Sequence, residues 1–125
     1  MNDKIELSNL GHTWIFDLDG TLVKHNGYKI DGEDTLLEGV LDMLNQIPEA
    51  DMIVILTSRE EKYKEETIKF LDDNNIRYDK IMFGVPMGER IVVNDIKPGG
   101  LKTAMAINLK RDDKRNISID INDEL

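Results

Sequence analysis

Thr13-Trp14-Ile15-Phe16-Asp17-Leu18-Asp19-Gly20-Thr21 is the stretch from which the rest of the chain is read. Four β-branched or aromatic residues in a row predict a buried strand, and a polar turn carrying two aspartates breaks it at once. Asp17 and Asp19 stand two apart just beyond that strand, so a tight turn, eased by the permissive backbone of Gly20, aims both carboxylates into one place. Two carboxylates at close quarters repel each other. A divalent cation removes the conflict, and an all-oxygen donor set of this kind suits magnesium. The plainer alternative is a turn that favours Asp and Gly on an acidic surface.

Outward from this stretch the pattern alternates between strand and helix. Leu22 to His25, then Asn26-Gly27, then Tyr28 to Ile30 predicts a small β-hairpin, because Asn-Gly accepts the positive φ angles of a type I′ turn. Leu36, Leu37, Val40, Leu41, Leu44 and Ile47 recur at helical spacing and stop before Pro48. Met52 to Leu56 is a continuous apolar run, short enough for a strand buried on both faces. Ser58 with Glu61 reads as a capping box opening a helix with Tyr63, Thr67, Phe70 and Leu71 on one face. Further strands are expected at 81–83, at 91–93 before Asn94-Asp95, and at 105–109 after a helical turn at 101–104. Ile117, Ile119 and Ile121 alternate like an edge strand. Strands alternating with helices imply a mostly parallel sheet covered on both faces, with ligands at the carboxyl ends of its strands. Asp17-Leu18-Asp19, Thr57-Ser58-Arg59 and Asn94-Asp95 all fall at such ends.

The composition agrees with one compact domain spanning residues 1–125. The chain has 25 acidic and 16 basic residues, a net charge of −9 and no cysteine. At this length a core forms without metal or disulfide staples. A pI near 4.6 weighs against a protein built to grip nucleic acid or anionic lipid. No apolar run approaches the roughly 18 residues of a membrane span, and Met1 to Glu6 does not open like a signal peptide, so a cytoplasmic location is the expectation.

Asp17-Leu18-Asp19-Gly20-Thr21-Leu22 after a first strand, Leu56-Thr57-Ser58-Arg59 after a second and Val92-Val93-Asn94-Asp95 after a later one resemble the signature motifs of the haloacid dehalogenase superfamily. The resemblance runs from about Thr13 to Leu109. It implies an α/β, Rossmann-like three-layer α/β/α domain that hydrolyses phosphomonoesters through an aspartyl-phosphate, with Mg2+ as cofactor. Asp17 would be the nucleophile and a metal ligand. Asp19 would be the acid and base, its backbone carbonyl a second ligand. Asp95 would be a third, with Asn94 beside it, and Thr57 and Ser58 would bind phosphate at the start of a helix, although plain helix capping also accounts for Ser58. The family further uses a cation, usually lysine, against the phosphate and the nucleophile. Many relatives carry Gly-Lys-Pro before the last motif, whereas this chain reads Gly84-Val85-Pro86. Lys80, Arg90, Lys97 and Lys102 are the candidates, with Lys80 and Arg90 ahead and no sequence rule to separate them. Arg59 is read as solvated or paired with an acid.

Too few residues separate Asp19 from Thr57, or Thr57 from Asp95, for an inserted cap domain. Closure then falls to a bulky substrate, a second copy of the chain or the hairpin flap, where Lys24, His25 and Tyr28 are candidate contacts beside the plainer reading of a solvated tip. The basic run from Lys97 to Arg115 is either a solvated face or a steering patch for an anion. The expected substrate is a phosphorylated sugar or related metabolite, or a phosphate on a larger carrier. The rivals are a phosphate-binding or partner-regulating protein of weak turnover, and a mutase.

Overall fold

The structure, a computed structural model, describes residues 3–125. It is a small α/β arrangement with parallel strands in two sheets. Strands β1 (Asp3–Leu7) and β5 (Ile117–Ile121) form one pair, and β2 (Thr13–Asp17), β3 (Met52–Leu56) and β4 (Lys80–Met82) form a three-stranded sheet in that order. Helix α1 (Gly27–Ile30) is a single turn; α2 (Val40–Asn45) lies between β2 and β3, and α3 (Lys64–Asp73) between β3 and β4. Among the described residues no helix is long and apolar enough to cross a membrane.

The register Asp17↔Leu56↔Met82 brings the carboxyl ends of the three strands level. It also puts Trp14, Phe16, Ile53, Ile55 and Ile81 on one face of the sheet. That face shares a single apolar cluster with Val40, Met43 and Leu44 of α2 and Leu71 of α3. The opposite face shows Ile15 and Met82 more than half exposed. Helices α2 and α3 therefore gather on one side of the sheet, where the alternation of elements predicts cover on both.

Several expected elements take another form. The 22–30 hairpin is replaced by α1. A type I′ turn needs two successive residues at positive φ, and here Asn26 alone adopts it, as the residue before the helix. Val23 makes its bridges to Asp19 and Leu36 instead. The 36–47 helix shrinks to α2 because Gly39, at φ 87°, cannot continue a helix backward. Ser58 caps no helix: a 3-10 turn at Glu61–Tyr63 intervenes before α3, with Glu60 at its N-cap. Residues 91–93 and 105–109 form no strand. Ile91 and Val93 are more than four-fifths exposed, and a β-branched run without a neighbour to complete its hydrogen bonds has nothing to hold it extended. Residues 101–104 make no helical turn; Ile96 and Lys102 bridge across a tight 97–101 loop. The Ile117–Ile121 strand does form, on an unforeseen partner, β1. Ile5 and Ile117 carry that pair into the core.

A Cβ on Gly39 would overlap the carbonyl oxygen of Arg115, and its φ is one that L side chains rarely adopt. Gly39→Ala is expected to lose about 2–3 kcal/mol in urea unfolding from overpacking and backbone strain. An undiminished midpoint would show that the 38–39 and 115 backbones do not meet this closely.

At the amino end of β3, buried Asp51 accepts from Trp14 Nε1 (3.0 Å) and His12 N (3.1 Å) and lies 2.8 Å from His12 Nδ1. Burial pushes its carboxyl up, but the hydrogen bonds from Trp14 and His12 outweigh burial and hold it below the usual carboxylate range. A lowered folded-state value means stability that is present above the ordinary carboxylate pKa and lost as pH falls through the lowered one. Urea midpoints measured from about pH 5 down to pH 2 should fall less steeply in Asp51→Asn than in the parent; parallel curves would refute this.

Candidate functional site

Asp17 ends β2, and the turn that follows is built around the carbonyl of Leu18, which accepts from the N–H groups of Thr21, Leu22 and Val23. Gly20 takes φ 86° and donates to Val23 O, a geometry that a side chain would strain. Leu18, 1% exposed, plugs the core, so its neighbours Asp17 and Asp19 are left at the strand end.

Asp17 is the more open carboxylate, its side chain 40% exposed. Its Oδ2 accepts from Thr21 Oγ1 at 3.0 Å and its Oδ1 pairs with Arg90 Nη1 at 2.6 Å. Of the candidate cations, Arg90 is thus the one on the Asp17 carboxylate. Lys80 sits exposed at the start of β4, away from the level carboxyl ends of the strands.

Asp19 is held quite differently. Arg59 Nε meets Asp19 Oδ2 at 3.1 Å and Nη2 meets Oδ1 at 2.8 Å, a two-point grip on both oxygens. The other edge of the guanidinium grips Asp34, with Nη2 to Oδ1 at 2.7 Å and Nη1 to Oδ2 at 3.0 Å, and Nη1 also donates to Thr67 Oγ1 at 2.9 Å. Those five contacts engage the full set of guanidinium N–H donors. The ring of Tyr28 lies against it, 3.8 Å from Cζ to the ring centroid, and Tyr63 packs edge-on to Tyr28. Arg59 is 3% exposed. Burial alone would pull its pKa down, but the hydrogen bonds and charges of Asp34 and Asp19 push it up, so it stays a cation.

Thr57, 1% exposed, links the two strand ends: its Oγ1 accepts from Arg59 N at 3.1 Å and lies 3.5 Å from Asp19 Oδ2. Ser58 is half-buried beside it. Asn94 and Asp95 are not brought to this place. Both are exposed on the 83–103 loop, tied to Thr103 through Asn94 Nδ2 (3.1 Å) and the Asp95 carbonyl (2.7 Å). Among the described residues no group of three His, Cys, Asp or Glu is placed to hold a metal ion.

The flap candidates divide. Tyr28 covers Arg59, Lys24 pairs with Asp31 at 2.9 Å, and His25 donates its N–H to Asp112. Asp112 N in turn donates to Gly20 O, and the stem of Arg111 lies against Gly20, so the turn at 110–113 is docked on the Asp17–Thr21 loop.

Sequence reasoning missed Asp34 and left Arg59, read as solvated or paired with an acid, out of the site; it is paired with two acids. Arg59 stood in view at a strand end, but an arginine in a sequence carries no mark of its partner. Asp34 lies 25 positions away in an irregular segment, where no periodicity singles it out.

No protein-family model matches this chain, and no curated protein and no solved structure does so either.

Proposed function

We propose that the protein is a phosphomonoesterase working through an aspartyl-phosphate on Asp17, in a Rossmann-like frame without a cap. The observation that carries this reading is the pair of carboxylates presented by one turn at the carboxyl end of a parallel strand, with Thr57 arriving from the neighbouring strand end. Asp17, the open one, attacks phosphorus in line; Asp19, which must carry a proton when the substrate arrives, gives that proton to the ester oxygen as the P–O bond breaks. Asp19 then takes a proton from the water that attacks the aspartyl-phosphate, and inorganic phosphate departs. Thr57 offers a hydroxyl to a phosphate oxygen. Arg90, already on the Asp17 carboxylate, is the cation that orients the nucleophile and meets the incoming charge.

The Asp17 carboxylate and the Asp19 carbonyl are hard oxygen donors of the kind magnesium takes, since it keeps several waters and fills its shell from the substrate's phosphate. Those two residues would hold the ion, without Asp95 or Asn94 as now placed. Bound there, it would neutralise charge on the phosphate oxygens.

A second reading, a phosphate-binding protein of weak turnover, is favoured by the separation of Asp95 from Asp17 and Asp19. The test is hydrolysis of an aryl phosphate by the full chain with magnesium and with chelator in its place. Release that depends on magnesium supports the enzyme, and a panel of phosphorylated sugars and carrier-linked phosphates then narrows the substrate. Absent release from protein that binds inorganic phosphate supports the second reading.

A further inference from the structure

We propose that Arg59 is the positioning residue of Asp19 and that Asp34 is the anchor through which it acts; the inference rests on the phosphatase reading above. A carboxylate held by one donor turns freely about its last torsion, and the direction of its lone pairs turns with it. One held at both oxygens by the two donors of a planar guanidinium edge has its plane fixed. Arg59 grips Asp19 in this way and grips Asp34 with its other edge.

The two ends of this bridge are unequal. The side chain of Asp34 is 6% exposed and that of Asp19 is 16% exposed, so the deeper carboxylate fixes the guanidinium and the shallower one is presented at the strand end. Thr67 from α3 and the ring of Tyr28 from α1 close the remaining freedom of Arg59. Taking three charges out of water is a poor way to gain stability, because desolvation cancels much of the attraction. A fixed orientation for Asp19 is what the arrangement gains. The 26–34 segment, which supplies Tyr28 and Asp34, thereby sets the aim of Asp19 from outside the site.

The experiment measures kcat and KM on an aryl phosphate for the full chain and for Arg59→Lys and Asp34→Asn. Lysine keeps the charge but makes a point contact, so it should not rescue. Both variants are expected to lose about 10- to 100-fold in kcat, with KM within about 3-fold of the parent. Asp34→Asn keeps the side-chain volume and carries the test where Arg59→Lys does not fold. Folded variants with unchanged kcat, or a loss confined to KM, overturn the proposal. A second readout needs no turnover: the Nε–H of Arg59, sandwiched against Asp19, should give a slowly exchanging 15N-correlated signal that Asp34→Asn abolishes. If the parent shows no phosphatase activity, the enzyme reading falls and this signal decides the bridge. Its persistence in Asp34→Asn, or its absence from the parent, overturns the anchoring.

Discussion

Asp17→Asn is expected to lose phosphate release on the order of 10⁴-fold or more while the fold is kept. Deleting the nucleophile of a covalent mechanism removes a reaction path, and residues acting as such a unit cost several orders of magnitude singly. The stability cost is small for a structural reason. The Asp17 side chain is 40% exposed and its partner Arg90 31% exposed, so the ion pair they form is solvated, and such pairs contribute about 0–1 kcal/mol. The amide still accepts from Thr21 Oγ1, which bonds one side-chain oxygen only. Loss of activity with an unchanged urea midpoint would therefore be loss of chemistry. The same variant frees Arg90 from its counter-charge, and inorganic phosphate should bind at least as tightly as to the parent. Activity within tenfold of the parent would sink the aspartyl-phosphate.

What the sequence made legible is the part governed by short-range pattern. The strands at Thr13–Asp17 and Met52–Leu56, the helix within 64–73 and the turn after Asp17 follow from apolar runs broken by polar clusters, but each strand finds cover on one face only, and Met52–Leu56, expected to be buried on both, leaves Met52 43% exposed. What escaped depends on pairing at a distance. Residues 91–93 have the composition of a strand but no neighbour to complete it, and Asp95, whose place beside Asp17 presumed that strand, stays on a loop. Asp3–Leu7 has a weaker pattern yet becomes a strand, because Ile117–Ile121 lies parallel to it and Lys4 meets Asp120 at 2.9 Å across the pair. The Asn26-Gly27 dipeptide predicts a hairpin; Val23 instead bridges Leu36, and no second strand follows the turn. The candidate site shows the same division. Asp17, Asp19 and Thr57 are placed by their own strands, while the two arginines are placed by carboxylates far away in the chain.

Arg59→Met is expected to lose about 3–5 kcal/mol of folding stability, which is the size measured when one partner of a buried ion pair is removed. The loss comes from what is left behind. Methionine fills much of the volume and packs against Tyr28, but Asp34, 6% exposed, is left without its cation, and Thr67 Oγ1 loses its donor. Out of a total stability of about 5–15 kcal/mol this is a large share, and thermal unfolding should drop by roughly 10–20 °C. A companion variant separates the stranded charge from lost packing. Arg59→Met with Asp34→Leu removes the buried carboxylate as well, and it should be more stable than Arg59→Met alone by about 1–3 kcal/mol, because a buried ion pair replaced whole by apolar groups is often neutral. That double variant should still fail in turnover, since Asp19 then keeps only the single 3.5 Å contact from Thr57 and its plane is no longer fixed. Were the double variant no more stable than the single, the energetic weight of Arg59 would lie in its packing against Tyr28. Were it stable and fully active, the two carboxylates would share Arg59 for the fold alone, and Asp19 would need no guidance from the segment that carries Asp34.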